Sequence, residues 1–261
     1  MQDFVILPRV NILGVGISAI NMEQALAIIE RWIVARERHS VHVCNVHTVM
    51  ECQRDLQFRA GINRAGLATP DGMPLVWLSR LAGNRHVSRV YGPDLMLALM
   101  DRSGAKGYRH YFYGGAEGIA KKLAEVMKEK YHGIQIVGWH SPPFRQTIGE
   151  DDEVFARINA VKPDIVWVGL GTPKQDWWII QHRRKLEAAV LIAIGAAFDF
   201  HTGHVPQAPR WIMQAGLEWL FRLFQEPRRL WRRYLVYNPL FVWSVFLQLS
   251  GLKKYPLEPT P

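Results

Sequence analysis

Ile165-Val166-Trp167-Val168-Gly169-Leu170-Gly171-Thr172-Pro173-Lys174-Gln175 begins as an apolar run, breaks at two glycines, and continues with helical spacing. Four apolar residues closed by a glycine read as a strand buried on both faces. Pro173 stands where a helix begins, because proline has no N–H to lose there. The same pattern repeats outward along the chain. Apolar runs at 10–15, 41–46, 66–69, 110–113, 134–137 and 190–193 alternate with helical stretches such as 22–38, 118–130 and 154–161. Strand–helix alternation predicts an α/β fold, a mostly parallel sheet with helices on both faces. Ligands of such sheets bind beyond the carboxyl ends of the strands, so the residues after each run carry the functional reading.

The alternation stops near Ala208. We expect an α/β domain over 1–207, a C-terminal appendage over 208–254 and a frayed tail over 255–261. Between 210 and 233 lie six arginines and only two acids, Glu218 and Glu226, interleaved with Trp211, Trp219, Phe221, Phe224 and Trp231. The chain's net charge of +9 calls for a partner rich in negative charge. Arginine mixed with aromatics suits a helix lying at a lipid headgroup boundary better than a nucleic-acid arm. The longest apolar segment, 239–252, is shorter than the roughly 20 residues of a spanning helix and is interrupted by Ser244, Gln248 and Ser250. No basic stretch followed by an apolar core marks a signal peptide at the N-terminus. Cys44 and Cys52 make neither a disulfide scaffold nor a metal site and read as small buried side chains.

Several polar turns follow the runs. Asn45-Val46-His47-Thr48 follows the second, and Thr69-Pro70-Asp71-Gly72 the third. Asp71, between Pro and Gly, is either a turn former or a carboxylate projected into a cleft. Met73-Pro74-Leu75-Val76-Trp77 reads as the buried start of the next helix. Gly114-Gly115-Ala116-Glu117-Gly118 opens a helix, and Gly171 precedes Lys174 and Gln175 in a first helical turn. Such glycines either admit a phosphate to backbone N–H groups or serve close packing. Gly195-Ala196-Ala197-Phe198-Asp199-Phe200 adds another small-residue turn. His201 and His204 read as loop residues, and Glu150-Asp151-Asp152-Glu153 as a solvated helix start rather than a metal set. No Asp-x-Asp pair of the kind that holds a metal–nucleotide is evident, and no cofactor is expected.

Taken in order, Thr69-Pro70-Asp71-Gly72, Arg89-Val90-Tyr91-Gly92-Pro93-Asp94-Leu95, Gly114-Gly115, the 168–176 string, Phe198-Asp199-Phe200, Ala208-Pro209-Arg210-Trp211 and Gly216-Leu217-Glu218-Trp219-Leu220 resemble the WecG/TagA/CpsF family, glycosyltransferase family 26. The resemblance runs from about residue 11 to 234. It implies an inverting, metal-independent transferase on a Rossmann-like domain, peripheral on the cytoplasmic face of the bacterial inner membrane. Its partners would be a UDP-sugar donor, a polyprenyl-diphosphate-linked sugar acceptor and the membrane surface, without nucleic acid; self-association stays open. By motif, Asp71 matches a proposed catalytic base and Asn45 a pocket residue, with Thr48 beside it. Arg89 and Gln175 match polar residues at the substrate cleft; Lys174, in the first helical turn, is placed to reach a ligand there, with the backbone at Gly114, Gly115 or Gly171 as candidates to assist. Arg222, Arg229 and Arg232 match a basic appendage that closes over the site. Two positions depart from the family pattern: Val43 stands where a Thr is frequent, and Gln207 where a basic residue is common. The string 44–50 is similar to exopolysaccharide members of the xanthan-type glucosyltransferase kind, which favours UDP-glucose as donor. The alternative is UDP-N-acetylmannosamine, or its uronic acid, transferred to undecaprenyl-diphosphate-GlcNAc.

Two other classes compete. A nicotinamide-dependent oxidoreductase needs a full dinucleotide fingerprint, and the first run offers only Gly14-Val15-Gly16. A non-catalytic membrane-surface or nucleic-acid-binding module has no need of polar turns after four strands.

Overall fold

In β5 (Arg109–Gly114), β7 (Ile165–Gly169) and β8 (Val190–Ala193) alternate side chains point to one face, so Tyr111, Tyr113, Val166, Val168, Leu191 and Ala193 gather in one buried cluster. Val154, Phe155 and Ile158 of α7 (Asp152–Ala160) and Trp178 and Ile179 of α8 (Lys174–His182) complete it. The residues between them face the other way: Phe112 meets Phe198 of α9 (Ala197–His201) edge-on at 5.7 Å. Burial on both faces is what continuous apolar strands require.

The computed structural model describes residues 7–143 and 152–257. The chain divides into two compact units, one made of 1–21, 44–90 and 208–261, the other of 22–43 and 91–207. The second unit holds the strands above with β3 (His39–Cys44) and β6 (Gln135–His140), parallel in the order β3-β8-β7-β5-β6. Its helices also include α1 (Met22–Ala35), α5 (Gly92–Lys106) and α6 (Ile119–Lys130). The α/β fold with a parallel sheet between helices is therefore the observed one. Asp176 of the 168–176 string is buried in this unit, 2.8 Å from Nδ1 of the equally buried His42. Cys44 and Cys52 are both buried, and neither is in a disulfide.

The first unit contains β1 (Arg9–Ile12), β2 (Val15–Ser18), α2 (Val46–Arg54), α3 (Leu56–Asn63), β4 (Leu67–Pro70) and α4 (Met73–Leu81). Its C-terminal part is α10 (Arg210–Gln214), α11 (Glu218–Gln225), α12 (Pro227–Trp231), a π-helical turn (Arg232–Val236) and α13 (Tyr237–Leu249). α13 is tied down by Tyr237, whose hydroxyl donates to Glu51 at 3.0 Å and accepts from Arg54 at 2.5 Å. No helix among the described residues is long and apolar enough to cross a membrane.

Three sequence readings change. Residues 10–15 are not one strand of the parallel sheet but most of an antiparallel hairpin, β1 against β2. Leu13 and Gly14 both take positive φ, as a two-residue hairpin turn of this hand demands, and Asn11 Oδ1 accepts the Gly14 N–H at 2.8 Å. The second run ends at Cys44, because Asn45 caps α2 and Val46 is already helical. Trp77, read as buried, is 50 % exposed, although Leu75 and Val76 are buried as expected. Of the acidic cluster, Asp152 and Glu153 form the first turn of α7, while Glu150 and Asp151 lie outside the described residues. Of the tail, Tyr255 accepts a hydrogen bond from Asn11 at 2.7 Å; 258–261 and 1–6 lie outside the described residues.

Candidate active site

Pro70 closes β4, and the backbone helps to fix the turn after it: the N–H of Asp71 donates to the Cys44 carbonyl at 2.8 Å. Gly72 abuts Asn45, where an added Cβ would lie 3.4 Å from the Asn45 Cβ. Asn45 is the N-cap of α2. Its Oδ1 accepts from the N–H groups of His47 and Thr48, and Thr48 Oγ1 accepts from the Asn45 N–H at 3.3 Å. This capping box satisfies donors that a helix start otherwise leaves open. It also assigns Thr48, fully buried, to holding Asn45. With its carbonyl oxygen engaged, Asn45 has its Nδ2 to offer a ligand beside Asp71.

Arg89 comes from the loop after α4, held by a bond from Val90 N–H to the Pro70 carbonyl at 2.9 Å and one from Arg80 Nε to the Val87 carbonyl at 2.8 Å. Its Nε donates to the Asp71 carbonyl, and its Nη2 donates to Glu218 Oε2 at 2.6 Å while standing 3.4 Å from Asp71 Oδ1. All three side chains are largely buried. Glu218, in the first turn of α11, thus takes the short ion pair with Arg89, and the Asp71 carboxylate the longer one. The consequence is a carboxyl pushed up to about 6: burial is the main cause, Arg89 opposes it, Glu218 adds to it, and Arg233 opposes it.

A carboxyl whose folded pKa is raised stabilises the fold most below its unfolded value, and that contribution is lost as pH rises through the folded value. For Asp71 the window runs from 3.8 to about 6. The cost of ionising it in the folded state is on the order of 3 kcal/mol. Asp71→Asn should therefore raise the unfolding free energy, relative to wild type, by up to this amount at about pH 7.5 and by much less near pH 4. Urea unfolding of both proteins at the two pH values measures this; equal differences at both would contradict the raised pKa.

The arginines of the C-terminal segment differ among themselves. Arg229 is exposed and bound to Glu226 at 2.5 Å, and Arg222, mostly buried, stands 3.7 Å from the same carboxylate. Arg232 is exposed. Arg233, its neighbour, has a buried Nε with no hydrogen-bond partner among the described residues. Its guanidinium is pulled below the ordinary value by burial first, then by repulsion from Arg222 and Arg229, while Tyr234 and Asp71 act the other way. A site with clustered cations beside a buried carboxyl of raised pKa can receive an anion and a proton side by side. The motif reading named Arg222, Arg229 and Arg232. Glu218 and Arg233 were not among its site residues, and the only available signal for Glu218 was its place in Gly216-Leu217-Glu218-Trp219-Leu220.

The other expected positions lie in the second unit. Gly114 takes φ 125°, and a Cβ there would lie 2.5 Å from the Gly169 carbonyl oxygen. Gly115 donates to that oxygen at 2.8 Å. These two glycines let β5 and β7 end in close contact. Gly171 is exposed with open space around it, and Lys174 is the first residue of α8. Gln175 is buried, and its Oε1 accepts from the N–H groups of Gly171 and Gly195 at 3.1 and 3.0 Å. One amide thus stitches two polar turns together. Gln175→Ala should cost about 1–3 kcal/mol of stability by leaving these donors unpaired; thermal unfolding checks it, with an unchanged midpoint as the contrary result. Departing from the family pattern, Gln207 donates to the Tyr91 hydroxyl at 3.1 Å, and Val43 is buried. His201, read as a loop residue, ends α9 and hydrogen-bonds to the Pro93 carbonyl at 3.1 Å. Among the described residues no group of three or more His, Cys, Asp or Glu side chains converges as a metal site.

The profile of the glycosyl transferase WecG/TagA/CpsF family matches residues 10–255, which is nearly the whole chain and includes every residue of this site. The chain belongs to that family. Two relatives carry the name N-acetylglucosaminyldiphosphoundecaprenol N-acetyl-beta-D-mannosaminyltransferase. The one from Bacillus spizizenii (strain ATCC 23059 / NRRL B-14472 / W23) is 34 % identical over 185 residues, 71 % of this chain and 70 % of its own length. The one from Bacillus subtilis (strain 168) is 31 % identical over 206 residues, 79 % and 78 % of the two chains. Family membership makes the protein a glycosyltransferase. It gives no support to glucose as the sugar moved, and the relatives' names match the alternative donor instead.

Proposed function

We propose that this protein transfers N-acetylmannosamine from its UDP-sugar to GlcNAc-diphosphoundecaprenol, with inversion. The observation that carries the reading is Asp71, buried with a raised pKa, held by Arg89 and within the electrostatic influence of Arg233, in a chain of this family. UDP-sugars carry an α-linkage and the relatives' product is named β, so one displacement suffices. Ionised Asp71 takes the proton of the acceptor hydroxyl as that oxygen bonds to the anomeric carbon. The bond from that carbon to the UDP oxygen breaks, and its electron pair leaves on the diphosphate. Arg233, with Arg222 and Arg229 beside it, meets the charge that develops there. Asn45 Nδ2 orients a substrate oxygen next to the base, and Arg89 positions Asp71 through its carbonyl.

The exposed Phe224 and Trp231 among the arginines, with Trp243 and Phe246 on the apolar helix that follows, suit peripheral attachment to the inner face of the bacterial inner membrane, where such an acceptor presents its head group. The test is to incubate the purified protein with UDP-N-acetylmannosamine, UDP-N-acetylglucosamine or UDP-glucose separately, each with a GlcNAc-diphosphoprenyl acceptor. The expected result is an acceptor gaining one N-acetylhexosamine from the first donor only. Preferential gain of a hexose from UDP-glucose would overturn the proposal.

A further inference from the structure

At the far end of α4 from Asp71 lies a cavity of about 110 Å³. Ile12 of β1, Leu78 and Leu81 of α4, and Val245 and Leu249 of α13 line it. Its two polar lining residues are already engaged. Gln248 accepts from the Leu13 N–H at 2.9 Å and donates to the Asn11 carbonyl at 3.0 Å. Asn11 accepts from Gly14 at 2.8 Å and donates to Tyr255 at 2.7 Å. With most of the lining apolar and both amides already hydrogen-bonded, the cavity favours hydrocarbon over a polar ligand. The volume is of the order of the ~150 Å³ apolar cavity that holds benzene, which suits an isoprene unit. Leu81 and Leu249 at the rim are 71 % and 62 % exposed, an apolar mouth left in water.

The position of the cavity tells which hydrocarbon. Gly72, directly after Asp71, is the N-cap of α4, which carries Leu78 and Leu81 toward its other end. At ~1.5 Å per residue the groove lies about 14 Å along the helix from the carboxylate. Trp77 stands between, packed against Gly216, where an added Cβ would meet its Cη2 at 2.9 Å. An amphiphile with its sugar-diphosphate head beside Asp71 and an apolar tail matches both ends. We propose that this groove between β1, α4 and α13 binds the isoprenoid chain of the lipid acceptor near its diphosphate. The inference rests on the acceptor named above and gives its tail a specific seat, separate from general attachment to lipid.

The test uses a prenyl diphosphate carrying a photoreactive diazirine on its chain, with labelled peptides identified by mass spectrometry. A second readout is transfer to GlcNAc-diphosphate acceptors of long and short prenyl tail in detergent. Ala82→Phe, at the groove's edge, fills it while adding apolar surface, so lipid attachment is not weakened. The expected result is labelling of peptides containing Leu78–Leu81 and Val245–Leu249, displaced by unlabelled prenyl diphosphate and lost in Ala82→Phe. In the same variant kcat/KM should fall about tenfold for the long tail and stay within about twofold for the short one. Labelling elsewhere, or equal labelling by a diazirine fatty acid that prenyl diphosphate does not displace, would overturn the groove assignment. Groove labelling without any sugar transfer would leave the groove standing and defeat the transferase reading.

Discussion

Asp71→Asn lowers kcat by about 10²-fold or more while leaving donor affinity unchanged. Asparagine keeps the size and the backbone contacts of the turn, the bonds to Cys44 and Arg89 included, and removes the charge with its long ion pair to Arg89 and the ability to act as a base. The loss therefore belongs in kcat and not in binding. Because ionised Asp71 costs folding energy, the inactive variant is also expected to be the more stable one near neutral pH. That combination separates loss of a base from loss of structure. Turnover is measured at saturating donor and acceptor, and donor affinity by calorimetry. Near-normal kcat in Asp71→Asn would remove this carboxylate from the mechanism.

Arg233→Ala is expected to lower kcat/KM by about 10²–10³-fold, because a preorganised cation facing the leaving diphosphate acts where charge develops. Arg232→Ala, one position earlier, should change it less than about threefold, as an exposed charge is screened by water and salt. UDP binding should follow the same order, weakened in the first variant and preserved in the second. Equal effects of the two substitutions would mean that the segment acts by overall charge.

The parallel sheet was legible because its strands are buried on both faces, and uninterrupted runs such as Ile165-Val166-Trp167-Val168 leave few other readings. The hairpin at the N-terminus was hidden because its turn places Leu13 at positive φ, a conformation that a leucine does not advertise. Asp71 could be singled out by its Pro-Asp-Gly setting and by family motif, but its environment could not. Glu218 lies 129 positions from Arg89, and a pair that distant leaves no local trace. Which C-terminal arginine acts electrostatically on Asp71 was equally obscure. The helix breaks between Gln225 and Pro227, and the turn at Arg232–Val236 is π-helical, so a regular 3.6-residue phase cannot be carried from Arg222 to Arg233. The glycines at 114 and 115 illustrate a further ambiguity. The same residues that admit a phosphate also let two strand ends meet, and here the contact with Gly169 by itself requires them.

The pH dependence of kcat/KM with UDP-N-acetylmannosamine and GlcNAc-diphosphoprenyl acceptor bears most directly on the central claim, that a buried carboxyl poised among arginines is the base. Activity should rise through an acid limb with an apparent pKa of about 6, and the residual activity of Asp71→Asn should lack that limb. A wild-type profile flat from about pH 5 to 8, or a limb that survives in Asp71→Asn, would contradict it.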